Sequence, residues 1–326
     1  MPVLTLWAQF LFCAFFILVS GQKLSFYADV IAERFNLSKG WIGLLILAPV
    51  TSLPEFFNGI SAVLWLNAPN IAVGDILGSC VCNLSFLAIL DLISGRVSLS
   101  QRLKGSHFLS ANFGIIMICL IGFGILIGKH FYFAWFSLIS LGLFFLYFIA
   151  LGLVFREEVK IIASELVHPE VALDQAIKKF LLNAAIIILA ATWLPRVGKE
   201  LALVTGLGQT FIGSSLIAFS TSLPEFVVTL SAFRLGSADM AVANILGSNI
   251  VNLFLISIYD FLYLSGPLLT FVDQQQFVNI FSAVLMTTTF ILDIYLKPAK
   301  RAIFSFLSVF LISIYCFNSF VLYLLR

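Results

Sequence analysis

Long apolar stretches separated by short polar connections make up most of the chain. Residues 108–128 and 131–155, for example, are apolar on every face of a helix. A helix needs about 20 such residues to cross a bilayer core, whereas the strands of a membrane β-barrel alternate apolar and polar positions. We therefore predict an all-α membrane protein of about ten transmembrane helices, at residues 3–22, 40–66, 70–93, 106–128, 131–155, 179–195, 210–233, 238–262, 276–296 and 302–325.

Two polar stretches do not fit a membrane span. Residues 27–37 have apolar positions at helical spacing but too many charges to cross the bilayer. They are predicted to lie at the membrane interface or to begin the second helix. Residues 156–178 are the longest hydrophilic segment, and we interpret them as a linker with a short solvated helix.

Composition supports the membrane assignment and excludes other classes of protein. Of 326 residues, 61% are hydrophobic and 10% are charged, and the mean hydropathy is +1.09, which excludes a soluble globular enzyme. A net charge of +2 provides no basic surface for nucleic acid. The five cysteines all lie in apolar stretches, where we expect them to pack as small hydrophobic residues.

The distribution of basic residues predicts the orientation. If the N-terminus lies outside, most of the 18 Lys and Arg residues fall in cytoplasmic connections, as the positive-inside rule requires. Both termini are therefore predicted to lie outside the cell, with the 156–178 linker in the cytoplasm.

The chain contains an internal repeat. Residues 51–56 and 221–226 both read TSLPEF, and the similarity extends over about 43–91 and 213–260. Because each half has an odd number of spans, the second half enters the membrane from the opposite side. Such inverted repeats are typical of secondary transporters, which bind their substrate at the midplane. The predicted parts are a first five-span repeat (1–155), the linker (156–178) and a second five-span repeat (179–326).

Two glutamates stand in the middle of predicted spans. Glu55 and Glu225 occupy the same position of the two repeats, at a depth where an unpaired charge costs several kcal/mol. The helix pairs that carry them contain no Lys or Arg except Arg234 at a helix end. A bound cation is the simplest compensation for these charges.

The polar neighbours of each glutamate also recur. A Thr and a Ser precede the Glu by four and three residues and so share its helical face. Pro54 and Pro224 are predicted to kink the helices and to free carbonyl oxygens. Oxygen ligands suit hard cations such as Ca²⁺ or Na⁺ better than Zn²⁺ or copper, although each hydroxyl or amide taken singly could simply join neighbouring helices. The predicted ligands are Thr51, Ser52, Ser79, Asn83, Thr221, Ser222, Ser248 and Asn252.

The pattern TSLPE followed by GSC-x-x-N or GSN-x-x-N, found twice in this chain, resembles the alpha repeats of the sodium/calcium exchanger family in the calcium/cation antiporter superfamily. The resemblance implies a prokaryotic-type exchanger of the plasma membrane in which Glu55 and Glu225 hold Ca²⁺ and then release it to Na⁺. It also implies that the main-chain carbonyls of Ala48 and Ala218 are ligands, and that the first and sixth spans slide across a fixed core.

The first repeat departs from the pattern of the family at one charged position. Asp75 stands where the family usually has Asn, which Asn244 keeps in the second repeat. Asp75 lies four residues before Ser79 and on the same stripe of its helix. It is predicted either to act as a third cation-binding carboxylate or to pack as an amide would.

These observations predict a secondary active antiporter that exchanges Ca²⁺ for Na⁺ by alternating access. It is expected to be a transporter of the lipid bilayer and not an enzyme, with no cofactor and no obligate protein partner. A proton-coupled antiporter of Ca²⁺ or another divalent cation would use the same glutamates, but Phe56 and Phe226 stand where relatives of that type tend to have His. A cation channel is less favoured, because this chain completes its own pseudo-symmetric site.

Overall fold

The computed structural model describes residues 3–35, 37–95, 97–103, 106–158, 171–205, 218–297 and 305–325. Its α-helices are α1 (Val3–Arg34), α2 (Lys39–Thr51, with a π-helical stretch at Gly43–Leu47), α3 (Leu53–Leu64), α4 (Pro69–Ile93), α5 (Ser106–Ile127), α6 (Leu138–Glu158), α7 (Leu173–Thr205), α8 (Ala218–Thr221), α9 (Leu223–Arg234), α10 (Ala238–Leu262), α11 (Phe277–Leu296) and α12 (Phe306–Leu324). Connections contain 3₁₀ turns at Leu99–Arg102, Gly128–His130, Leu268–Phe271 and Gln274–Gln276, and a hairpin of β1 (Tyr132–Phe133) and β2 (Phe136–Ser137).

The predicted all-α membrane fold is confirmed. Within the described residues, eight helices are long and apolar enough to cross a membrane, and α2 with α3 forms a ninth candidate. The remaining predicted span, 210–233, is described only from Ala218 onward. Residues 159–170 of the predicted linker also lie outside the described part of the chain.

Three boundaries differ from the sequence prediction. The sixth span is longer than the predicted 179–195, because α7 runs from Leu173 to Thr205 and includes the end of the predicted linker. Residues 27–34 do not begin the second helix, because they continue α1 to Arg34. Their charge is tolerated since Asp29, which is 2% exposed, forms an ion pair of 2.8 Å with Lys39 Nζ. The fifth span begins at Leu138 rather than at residue 131, because the residues before it form the hairpin.

The second span is broken beside its glutamate. Ser52 separates α2 from α3 with φ −84° and ψ 4°, and the two helices are bent by 40°. Pro54 lies in the first turn of α3, where its missing N–H group is tolerated. The second repeat has the same break at Ser222, with φ −81° and ψ 1°, followed by Pro224. The predicted kinks are therefore present in both repeats.

Helices α4 and α10 form the centre of the molecule. Within an apolar stretch of 18 residues in each helix, 72% of the residues are buried in α4 and 89% in α10, against 22% in α1 and 28% each in α6 and α12. Helix α10 packs against α2, α3 and α4, and α4 also contacts α8 and α9. The broken helices of both repeats therefore meet around the central pair.

The ends of the central helices are tied to the opposite half of the chain. Asp91 of α4 accepts hydrogen bonds from Leu99 N (2.9 Å) and Ser308 Oγ (2.5 Å), and also from Ser305 Oγ, so that it holds the start of α12. Asp260 of α10 accepts hydrogen bonds from Leu268 N at 2.5 Å and Ser137 N at 2.7 Å, so that it holds the start of α6. The last helix of each half therefore packs on the central helix of the other.

Replacing Asp91 by Ala is expected to lower the free energy of unfolding by about 2–4 kcal/mol, because buried donors lose their acceptor. The unfolding midpoint of the purified protein in detergent measures this change. The control is Asp174→Ala, which removes an exposed carboxylate in the first turn of α7 and its contact of 3.5 Å with Lys178, and should shift the midpoint little. Equal midpoints for the two variants would contradict the assigned role of Asp91.

Candidate cation site

The two glutamates lie at equivalent places in the fold. Glu55 is in the first turn of α3 and Glu225 is in the first turn of α9. Both side chains are 0% exposed. A helix N-terminus carries a partial positive charge that favours a nearby carboxylate. The broken helices therefore place both carboxylates in the interior of the molecule.

Each carboxylate has one oxygen that accepts a hydrogen bond and one that does not. Ser79 Oγ donates to Glu55 Oε1 at 3.2 Å, and Ser52 Oγ donates to Glu225 Oε1 at 3.3 Å. Oε2 of both glutamates is buried and has no hydrogen-bond partner within the described residues. Since buried polar atoms are nearly always satisfied, these two oxygens are available to accept a hydrogen bond or to bind a cation.

Hydroxyl groups connect the two repeats in a reciprocal way. Thr51 Oγ1 lies 3.2 Å from Ser248 Oγ, and Thr221 Oγ1 lies 3.4 Å from Ser79 Oγ. These are the same pair of positions taken once from each repeat. Thr51 Oγ1 also lies 3.2 Å from the carbonyl oxygen of Ala48. Four broken or central helices are thus joined by hydroxyls at one place.

The predicted amide ligands are buried on the two central helices, α4 and α10. Asn83 Nδ2 donates to Asn249 Oδ1 at 3.1 Å, while Asn83 Oδ1 has no partner in the described part of the chain. The same holds for both side-chain polar atoms of Asn252 and for Ser222 Oγ. Further unpartnered polar atoms therefore lie on the central helices α4 and α10 and at the start of α9.

All predicted ligands with described side chains are buried. All of the following are at most 1% exposed: Ala48, Thr51, Ser52, Glu55, Ser79, Asn83, Thr221, Ser222, Glu225, Ser248 and Asn252. Ala218 is described by its backbone alone, at the start of α8. The contacts above bring together residues that lie far apart in the chain.

Two residues near the site were missed from the sequence. Tyr259 OH donates to the carbonyl oxygen of Glu55 at 2.8 Å, and Asn249 Nδ2 donates to the carbonyl oxygen of Cys80 at 3.3 Å. Neither has the same residue at the matching position of the other repeat, where Leu90 and Cys80 stand. A search for identical residues in both repeats therefore passes over them. Cys80 and Asn249 are matching positions in direct contact, which places the approximate two-fold axis of the repeats between them.

Asp75 lies beside the site. Its Oδ2 accepts a hydrogen bond from Asn58 Nδ2 at 2.6 Å, and its Oδ1 lies 3.4 Å from Thr221 Oγ1. The residue is 5% exposed. Both of these neighbours of Asp75 are neutral side chains.

The donor set distinguishes the kind of ion. The described residues contain no group of three His, Cys, Asp or Glu side chains that could hold one metal ion. The arrangement is instead two carboxylates accompanied by hydroxyls, amides and main-chain oxygens. Such a set suits a hard cation that accepts neutral oxygen ligands.

Comparison with known proteins identifies the family. The model of the family described as "Sodium/calcium exchanger protein" matches residues 5–156 and 177–324. The sodium/calcium exchanger MaX1 of Methanosarcina acetivorans is 27% identical over 263 residues, which cover 70% of this chain and 75% of that protein. The inner membrane protein YrbG of Escherichia coli K12 is 26% identical over 253 residues, covering 74% of each.

Solved structures of the sodium-calcium exchanger NCX_Mj share the fold. One of them, soaked with 10 mM Na⁺ and zero Ca²⁺, has a TM-score of 0.73 at 22% identity and covers 97% of this chain and 98% of that one. Another, soaked with 2.5 mM Na⁺ and 0.1 mM Ca²⁺, has a TM-score of 0.71 at 22% identity and covers 96% and 97%. With a family match over almost its whole length, the chain belongs to the sodium/calcium exchanger family.

Proposed function

We propose that the protein is a secondary active antiporter that exchanges Ca²⁺ for Na⁺, with Glu55 and Glu225 as the charged ligands of both ions. The observation that carries this proposal is the pair of fully buried carboxylates, one from each half of the chain, each with an unpartnered oxygen. Two negative charges balance one Ca²⁺ or two Na⁺, so the same site serves either ion in turn.

The neutral ligands of the proposed site come from both repeats. Ca²⁺ accepts about 6–8 oxygens, and the buried set offers hydroxyl, amide and main-chain oxygens around the glutamates. The similarity to MaX1, a sodium/calcium exchanger, and to NCX_Mj, which was soaked with Na⁺ and Ca²⁺, supports these two ions as the exchanged pair. The proposed ligands are Ala48, Thr51, Ser52, Glu55, Ser79, Asn83, Ala218, Thr221, Ser222, Glu225, Ser248 and Asn252, with Asp75 as an additional candidate ligand.

Alternating access in this proposal uses α1 and α7 as the moving elements. The two helices pack against each other. Part of their contact forms small apolar clusters separate from the main core, such as Leu6 with Val197 and Cys13 with Ala191. Because small apolar contacts rearrange more easily than a large core, this pair is suited to slide past the central helices.

The proposed arrangement in the membrane follows the basic residues. The repeats at 1–155 and 179–326 enter from opposite sides, both termini lie outside, and the 156–178 linker is cytoplasmic. The plasma membrane of a prokaryote is the proposed location, in line with the inner membrane relative from E. coli. No cofactor or further protein is required.

The proposal is tested with the purified protein in proteoliposomes. We expect uptake of ⁴⁵Ca²⁺ when the vesicles contain Na⁺ and the outside medium does not. Vesicles with a pH gradient and no Na⁺ should take up little. Uptake driven by the pH gradient alone would contradict sodium coupling and favour the proton-coupled alternative. Uptake without any gradient of Na⁺ or H⁺ that follows the membrane potential would indicate a channel.

A further inference from the structure

The end of α1 that the proposed orientation places in the cytoplasm is far more buried than the rest of the helix. Among residues 3–18 of α1, the buried ones are Leu6, Cys13 and Ile17, whereas every residue from 28 to 33 is buried. This end is therefore the part of α1 that is anchored in the protein, although it carries charged side chains.

A polar cluster joins this end of α1 to two other elements. Asp29 of α1 forms an ion pair with Lys39 at the start of α2, whose Nζ lies 2.8 Å from Oδ1 and 3.1 Å from Oδ2. Ser237, the residue before α10, contacts both partners, because its Oγ accepts from Lys39 Nζ at 3.2 Å and donates to Asp29 Oδ1 at 3.4 Å. The side chain of Asp29 is only 3% exposed. We call Asp29, Lys39 and Ser237 the α1 latch.

The α1 latch joins a helix that is proposed to move to elements that are proposed to stay fixed. Arg34 Nη2 donates to the carbonyl oxygen of Val171, just before α7, at 2.9 Å, so α1 and α7 are linked to each other at this end. Lys39 belongs instead to α2, which packs on the central helix α10, and Ser237 directly precedes α10. Movement of α1 and α7 past the central helices must therefore break the latch, whereas the Arg34 contact can move with the pair.

Next to the latch, α1 packs closely on α9, the helix that begins beside Glu225. Ser25 Oγ donates to the carbonyl oxygen of Val228 at 2.8 Å. A Cβ atom added at Gly21 would lie 2.6 Å from Val227 Cγ1. Helices α1 and α9 are therefore in direct contact on the cytoplasmic side of Glu225, and the latch fixes the end of this contact.

The matching positions of the other repeat have residues that cannot form the same cluster. Counted back from TSLPEF, Asp29 matches Lys199 and Lys39 matches Gln209; counted back from the ILGS that both repeats share, Ser237 matches Ala68. Lys and Gln cannot form an ion pair with each other, and alanine has no hydroxyl group. The chain therefore has residues for an ion pair at one end of the transporter and not at the matching positions of the other end.

We propose that the α1 latch favours the conformation that is closed toward the cytoplasm, so that the two alternating states of the transporter are unequally populated even without ions. The inference rests on the alternating access of the proposed function. Two identical inverted halves would give the two states similar free energies, and a contact present in only one state shifts the equilibrium toward that state. Weakening the latch therefore increases the population that is open to the cytoplasm.

The test compares the wild type with Asp29→Asn by hydrogen–deuterium exchange of the purified full-length protein without Na⁺ or Ca²⁺. Asn keeps the shape of Asp and leaves no buried charge unpaired, since Lys39 is 29% exposed and can turn to water. We expect exchange at residues 21–34 and 228–237 to become about three to ten times faster, and exchange at residues 69–75, at the opposite end of α4, to become no faster. Asp174→Asn, which removes an exposed carboxylate, is the matched control and should exchange like the wild type.

Transport measured from each side gives a second readout. Right-side-out and inside-out membrane vesicles report the Ca²⁺ concentration for half-maximal transport at the outer and the cytoplasmic face. In Asp29→Asn the ratio of these concentrations should change by about three- to tenfold in favour of the cytoplasmic face, because a larger fraction of the protein is open there.

Each outcome decides the inference. Unchanged exchange at residues 21–34, or equally faster exchange at both ends of the molecule, would overturn it, since a loss of stability alone accelerates exchange everywhere. An unchanged ratio between the two faces would also overturn it. If Asp29→Asn does not fold, Ser237→Ala decides by the same exchange measurement, with a smaller local acceleration in support and none against. Absence of Na⁺-driven Ca²⁺ uptake by the wild type would overturn the proposed function, whereas faster exchange confined to the latch end would still show that the latch holds α1 closed.

Discussion

Replacing either Glu55 or Glu225 by Gln is expected to lower Ca²⁺ transport by at least about 100-fold. At a separation of 4 Å and an effective dielectric constant of 20, one unit charge attracts another by about 4 kcal/mol, and a divalent ion by about twice as much. Even a third of that gain remaining after desolvation corresponds to about 100-fold in affinity. Gln keeps the shape of Glu and leaves the hydroxyl contacts with Ser79 and Ser52 possible. The loss therefore reports charge and not packing.

The measurement is the initial rate of Na⁺-driven ⁴⁵Ca²⁺ uptake into proteoliposomes at several Ca²⁺ concentrations. Glu157→Gln is the matched control, because Glu157 is an exposed residue near the end of α6. It should transport like the wild type. A single Gln variant that retains wild-type rates at limiting Ca²⁺ would show that the corresponding glutamate is not a ligand.

Replacing Gly247 by Val is expected to reduce transport by at least about tenfold, because overpacking a tight contact shifts the backbone around it. A Cβ atom at Gly247 of α10 would lie 2.8 Å from Ala48 Cβ and 3.0 Å from Leu44 Cα. Both neighbours belong to α2, whose last residue is Thr51. The larger side chain must therefore push α2 away from α10 and separate Thr51 from Ser248.

The control for this variant is Gly114→Val in α5, where nothing lies within 4 Å of the added Cβ atom. Both variants place a β-branched residue in a helix, so the control accounts for the lower helix propensity of Val. We expect Gly114→Val to keep the wild-type uptake rate and Gly247→Val to lose Ca²⁺ affinity. Similar rates for both would mean that the contact of α10 with α2 does not position the site.

The burial and grouping of the proposed ligands could be predicted because the same residues occur at the same spacing in both repeats. An isolated Ser79 or Thr221 would be an ordinary hydroxyl in a membrane helix, but the same residues at the same spacing in both repeats indicate a shared centre. The structure joins Thr51 to Ser248 and Thr221 to Ser79. Repetition thus supplied the long-range information that a single sequence usually lacks.

The features that could not be predicted are those that differ between the repeats or depend on distant contacts. Tyr259 acts on Glu55 only because Gly59 leaves room for its ring, and neither residue recurs in the other half. Residues 27–37 contain too many charges for a membrane span, and the ion pair of Asp29 with Lys39 is visible only in the folded chain. Charge counts alone cannot show which carboxylates find a partner.

The most direct test of the exchanger site is equilibrium binding of ⁴⁵Ca²⁺ to the purified protein, with Na⁺ replacing choline at constant ionic strength. We predict that the wild type binds Ca²⁺, that Na⁺ displaces it, and that the Glu55→Gln, Glu225→Gln double variant does not bind it. Ca²⁺ binding that is insensitive to Na⁺, or that persists in the double variant, would contradict a single site at the two glutamates shared by both ions.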